Sequence, residues 1–164
     1  MSGQSIRPSI AAPLTCAALV AGVLALAPSS ASAQASVVSL GGIIGGPTGL
    51  SLMVDTPKNF SVHAAVGFGW LDDDGLLGQA DLLWHRDVAS FDRSDMSIYF
   101  GVGPRLGVLT GPDEVAVGAH APFGMQVAWR ETPVEFFVEV ALGLWVVPDV
   151  DLYPDAALGA RYRF

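Results

Sequence analysis

From Tyr153 to Phe164 the chain alternates strictly. Leu158, Ala160, Tyr162 and Phe164 fall on one face of an extended ribbon, and Asp155, Ala157, Gly159, Arg161 and Arg163 fall on the other, since successive strand side chains point to opposite sides. One face is apolar and ends in an aromatic rim. The other is small, polar or charged. Two folds use such a ribbon: a soluble sheet that turns the apolar face inward, and a barrel that turns it outward to lipid.

Further segments repeat the pattern. Phe60, Val62, Ala64, Val66, Phe68 and Trp70 oppose Ser61, His63, Ala65, Gly67 and Gly69. Val134, Phe136, Val138, Val140, Leu142 and Leu144 oppose Glu135, Phe137, Glu139, Ala141 and Gly143. With turn residues as punctuation, strands are expected at about 37–45, 49–55, 60–70, 77–86, 97–108, 116–130, 134–146 and 153–164. Eight such strands predict an all-β, eight-stranded antiparallel transmembrane up-and-down β-barrel. Its interior is just wide enough for side chains to fill, which suits the many inward Gly and Ala beside a few long polar groups. Closure also removes the sheet edges, whose unpaired backbone would be costly in hydrocarbon.

The first 33 residues read as a cleaved secretory signal: Arg7 in a short polar start, an apolar run from Leu14 to Leu26, and Ala31-Ser32-Ala33 before an expected cleavage at Gln34. Residues 34–164 then form the barrel domain. Cys16 is a poor lipidation site, because Thr15 before it is too large and the apolar run follows it. No later stretch has the roughly 18 uninterrupted apolar residues of a spanning helix. Export and outward apolar faces together place the expected location in a bacterial outer membrane, with outer-membrane lipid as the surrounding partner.

Sixteen Asp and Glu against eight Lys and Arg argue against nucleic acid or an anionic surface as partner. Much of the acidity lies in three connections: Asp72-Asp73-Asp74, Asp113-Glu114, and Asp149 with Asp151. With both termini in the periplasm, these three face outside, and the short connections at 56–59 and 131–133 face the periplasm. Two connections fit less well: 87–96 is long for a periplasmic turn, and Gly46-Pro47 is short for an outer loop. Phe60, Trp84, Trp129, Phe136, Tyr162 and Phe164 would form an aromatic girdle near the periplasmic ends, with Trp70 at the opposite rim. The competing reading, a soluble sandwich or lipocalin-like barrel, would make the other face the solvated surface, and that face carries too few charges.

Four motifs carry a resemblance: Gly45-Gly46-Pro47-Thr48-Gly49-Leu50-Ser51, Asp81-Leu82-Leu83-Trp84-His85, Pro122-Phe123-Gly124-Met125 and Val146-Val147-Pro148-Asp149. With them, nearly the whole mature chain resembles a family of small outer-membrane β-barrel proteins of unknown function, similar in plan to the OmpA membrane domain and OmpX. The ending Ala157 to Phe164 looks like the terminal assembly signal of such proteins, with Tyr162 and Phe164 in the signature places. This resemblance implies the barrel assembly machinery as a partner during biogenesis.

Inward polar residues must pair in a narrow lumen, because an unpaired buried charge is costly. Asp81, Arg105, Glu139 and Arg161 are expected to form much of a structural network that holds register and blocks solute. A gated pore is the functional alternative. His63 and His85 lie on adjacent strands at similar predicted depth, with His120 higher, and no Cys or His-x-His spacing supports a metal site. Asp72-Asp73-Asp74-Gly75 lacks the later Glu of an EF-hand. Ser61 lies two residues before His63, but no acyl-transfer set reaches the outer rim, so no catalytic residue, cofactor or metal is assigned. The expected role is non-enzymatic: structural, or surface interaction with an external protein partner through the acidic loops. A narrow ion or small-solute pore comes second, and a lipid-modifying enzyme third.

Overall fold

The computed structural model describes residues 36–69, 75–108 and 115–164. The expected signal segment 1–33, Trp70, Asp72-Asp73-Asp74 and Asp113-Glu114 lie outside them. Eight strands follow in order: β1 (Val37–Gly45), β2 (Thr48–Asp55), β3 (Phe60–Phe68), β4 (Leu76–Ser90), β5 (Ser94–Val108), β6 (Val115–Trp129), β7 (Val134–Val147) and β8 (Asp151–Arg163). Each pairs antiparallel with its sequence neighbours, and β8 closes on β1, so the sheet is a closed eight-stranded antiparallel barrel. Among the described residues no helix is long and apolar enough to cross a membrane.

The stagger of the barrel follows from the register. Arg163 pairs with Ser39, Ser39 with Met53, Met53 with His63, and His63 with Asp81. Across an interrupted rung lies Gly103, which pairs with His120; His120 pairs with Gly143 and Gly143 with Tyr153. One circuit thus returns to β8 ten residues from its start, at Tyr153 instead of Arg163, which tilts the strands by about 40°. A nine-residue strand such as β3 then rises about 23 Å, close to the apolar band of an outer-membrane barrel, about 25 Å.

The ladder is interrupted twice beside β5. Paired residues are missing at 80–81 opposite 103–104, and at 101–102 opposite 121–122. Pro104 and Pro122 stand there, and a proline has no N–H to give to a rung. Gly103 sits between Asp81 and His120 in the same row and projects no side chain between them.

One end of the barrel, the terminal end, holds the start of β1, the end of β8 and the turns at 56–59, 91–93 and 130–133. The far end holds the other connections. The sequence-based ends of two strands are corrected here. β4 runs to Ser90 instead of 86 and β5 starts at Ser94 instead of 97, which shrinks the 87–96 connection to a tight hairpin. A β-bulge between Asp87 and Ala89 breaks the strict alternation there, and it hid the continuing strand. The far-end turn at Gly46-Pro47 is as short as expected. Gly45 adopts φ 140°, and a Cβ on it would run into the Ala156 carbonyl and Ala157, so only glycine fits. Thr48 Oγ1 braces the turn, accepting from Gly45 N–H at 3.1 Å and donating to the Gly45 carbonyl at 3.0 Å.

Candidate functional site

The barrel has two chemically opposite surfaces. Outward positions carry large exposed apolar side chains on every strand, including Leu40, Leu50, Val66, Phe100, Val140 and Leu158. An exposed apolar surface that runs around the whole molecule far exceeds what a soluble monomer leaves in water. Inward positions carry the charges: His63, Asp81, Arg105, His120, Glu135, Glu139 and Arg161 are all buried.

The four residues expected to form one network are all enclosed, but they do not pair with one another. Each anchors its own group. At the far end, Arg105 Nη1 donates to Asp155 Oδ2 at 2.6 Å and to Tyr153 Oη at 3.1 Å, and its Nη2 donates to the Gly46 carbonyl at 2.9 Å. Its guanidinium also lies 5.2 Å from the Tyr153 ring centre, and Tyr153 stacks on Trp145 at 5.3 Å. Gly143 makes room for the Tyr153 ring, which a Cβ there would overlap. A cation, two aromatics and the β1–β2 turn thus meet at that end of the lumen.

In the middle, Asp81 serves two imidazoles. His63 Nδ1 lies 3.3 Å from Oδ2 and His120 Nδ1 lies 3.2 Å from Oδ1. Ser51 Oγ is 3.0 Å from His63 Nε2. Ser51, His63 and Asp81 therefore form a hydroxyl–imidazole–carboxylate chain, the connectivity of an acyl-transfer relay. Ser51 is 0 % exposed and His63 and Asp81 1 % each, so the hydroxyl has no open face to a reactant. Met53, Ile43, Leu83 and Tyr99 pack into the same lumen, each at most 1 % exposed. Sequence reasoning missed this chain because Ser51 meets His63 diagonally across two strands, a relation that only the register reveals.

Below that level, Tyr99 Oη donates to Glu139 Oε2 at 2.7 Å, and Gly124 leaves space for the Tyr99 ring. Arg161 Nε lies 3.0 Å from Glu135 Oε1. Neither of those two atoms makes a hydrogen bond, so the N–H points off the oxygen and Coulomb attraction holds the pair. The Arg161 guanidinium also lies 4.0 Å from the Phe137 ring centre, and Nη1 donates to Met53 Sδ.

The terminal mouth is open. A recess of about 170 Å³ is lined by Asp55, Ser61, His85, Asp87, Ser97 and Gln126, among others. His85 Nε2 is 2.8 Å from Ser61 Oγ, and Ser61 donates to Asp55. His63 pairs with Asp81, four residues before His85 on β4, so the two imidazoles stand on adjacent strands as expected but not at similar depth. Among the described residues, no group of three His, Cys, Asp or Glu side chains is arranged to hold a metal ion.

The residues expected to form a girdle fall into three aromatic pairs near the terminal end. Phe60 and Trp84 lie 5.4 Å apart, Trp129 and Phe136 5.4 Å, and Tyr162 and Phe164 5.0 Å, ring centre to ring centre. Phe100 extends the first pair by stacking on Trp84 at 5.5 Å. It belongs to the ridge although the sequence reading omitted it.

No family model, curated protein or solved structure matches the chain. Its own residues carry the functional reading.

Proposed function

We propose that the protein is a small integral outer-membrane barrel, exported by its first 33 residues and inserted by the barrel assembly machinery. Its role is non-enzymatic: it adds a closed element to the envelope and offers acidic outer segments to an external protein partner. The observation that carries this reading is the inversion of surfaces, with apolar side chains exposed around the ring and charged ones enclosed. In water that arrangement would leave the large apolar face solvated while burying ionic groups, both unfavourable. In a bilayer the first term reverses, because the outer wall meets hydrocarbon, and turning the ionic groups outward would cost more than enclosing them.

The far-end connections contain seven Asp or Glu when Asp151 at the start of β8 is included, and no Lys or Arg. They supply the surface for a cationic contact. The lumen favours a closed plug over a pore, since Tyr99, Leu83 and Met53 fill its middle and Arg105 ties the far mouth to Gly46 and Asp155.

Membrane fractionation with a heat-shift gel tests the location: the protein is expected in the outer-membrane fraction, running at a different position before boiling than after. A chain that is folded and monomeric in buffer without surfactant overturns the reading. Planar bilayers test the closed lumen, where steady, reproducible conductance steps would replace it with the pore.

A further inference from the structure

Seven Lys and Arg lie among the described residues, and five have a partner. Arg105 and Arg161 pair with acids in the lumen, Arg130 with Asp95 and Arg93 with Glu131 at the rim, and Arg163 donates to the Trp129 carbonyl. Lys58 and Arg86 form no ion pair and no side-chain hydrogen bond, and both are exposed. They also share one end of the barrel. Phe60 pairs with Trp84, and His85 N–H donates to the Asn59 carbonyl at 2.9 Å; Lys58 precedes Asn59 in the β2–β3 turn and Arg86 follows His85 on β4, so both cations stand at the same edge of the terminal-end rim. The acids close to them in sequence, Asp55 and Asp87, line the mouth recess instead.

Above these cations lies the longest aromatic ridge among the described residues. Phe60, Trp84 and Phe100 run in one register row across β3, β4 and β5, with Trp84 and Phe100 nearly parallel at 13°. Arg86 follows Trp84 by two residues on the same outward face. Flat rings at the apolar border with two unneutralised cations just beyond them match the build of a phospholipid: acyl chains and glycerol above, phosphate below. We propose that Lys58 and Arg86, with the Phe60–Trp84–Phe100 ridge, form a binding site for an anionic phospholipid at the terminal-end rim. The proposal rests on the membrane-spanning reading above. It adds that the wall is not uniform: one sector selects its lipid by headgroup charge, whereas the far-end connections, which carry no cation, offer that headgroup nothing.

The test is native mass spectrometry of the full chain purified in non-ionic detergent, titrated with phosphatidylglycerol or phosphatidylcholine of identical acyl chains. Two surface cations, at about fivefold each, predict about a 25-fold preference for phosphatidylglycerol at low salt. Lys58→Gln with Arg86→Gln should bring the two lipids level. Arg93→Gln with Arg163→Gln removes the same charge from partnered positions and should keep most of the preference. Equal binding of both lipids by the wild type, or equal loss in the two double variants, overturns the proposal. So does displacement of the lipid by millimolar inorganic phosphate, which would make the ridge irrelevant. Should the Lys58/Arg86 double variant show no heat shift, each single variant is expected to lose about fivefold, and no loss in either also overturns it. Folding in surfactant-free buffer would instead refute the membrane reading itself.

Discussion

Arg161–Glu135 and Arg93–Glu131 are the same kind of pair in opposite surroundings. The first joins β8 to β7 inside the lumen, each side chain 1 % exposed at 3.0 Å separation. The second joins two turns at the rim, 77 % and 68 % exposed at 3.6 Å. Enclosure makes the inner pair obligatory without making it strong. Its charges have left water, so each depends on the other, and the cost of that desolvation is of the same order as their attraction. The rim pair gains little because water and salt screen it and both side chains stay free to move. Within this barrel, depth and not geometry alone decides what a charge is worth.

The largest effect follows from breaking the inner pair on one side only. Glu135→Ala leaves the Arg161 guanidinium enclosed with Phe137 and Met53 as its remaining contacts, and is expected to destabilise the barrel by about 3–5 kcal/mol. Urea unfolding in lipid vesicles, followed by the heat-shift gel, measures it. Removing both charges with Glu135→Leu and Arg161→Met should cost less than the single change. If the double variant is the weaker of the two, the pair gives net attraction and the comparison above is wrong.

Asp81 comes next. Its carboxylate holds His63 and His120 at once, so Asp81→Ala leaves two imidazole nitrogens without their acceptor, a loss of about 2–4 kcal/mol in the same assay. An effect below about 1 kcal/mol would mean that the imidazoles find other partners in the lumen.

How much of this was legible depends on which property of a strand is asked for. The inward and outward sets could be read directly, because period two fixes the face of Glu135 or Phe136 from sequence alone. The partners could not. A stagger of ten residues per circuit brings Arg105 to Asp155, fifty positions along the chain, and brings His120 to Asp81 across a row where Gly103 projects no side chain. Neither relation leaves a local trace. Strand ends failed where the backbone departs from the regular pleat: the bulge between Asp87 and Ala89 concealed the end of β4. Pro104 and Pro122, which usually argue against a central strand, stand inside β5 and β6 at the interrupted rungs.

Tyr99→Phe probes an intermediate case, where one partner is charged and the other neutral. The ring keeps its place over Gly124, so packing is conserved and only the hydrogen bond to Glu139 at 2.7 Å is lost. Glu139 then keeps its burial without its donor. The expected loss is about 1–3 kcal/mol, less than at Glu135 because the change removes one hydrogen bond and breaks no ion pair. Glu139→Gln in the Tyr99→Phe background should restore part of it, since a neutral amide is cheaper to bury than a carboxylate.

The smallest change is expected at the rim. Arg93→Gln removes the guanidinium from Glu131, and both side chains are already mostly in water, so unfolding should shift by less than about 0.5 kcal/mol. High salt should make wild type and variant indistinguishable, because screening removes what attraction there is. A loss comparable to that of Tyr99→Phe would show that the terminal-end turns are energetically part of the barrel. The contrast with Arg161 would then lie in the hairpin they tie together, and not in the water around them.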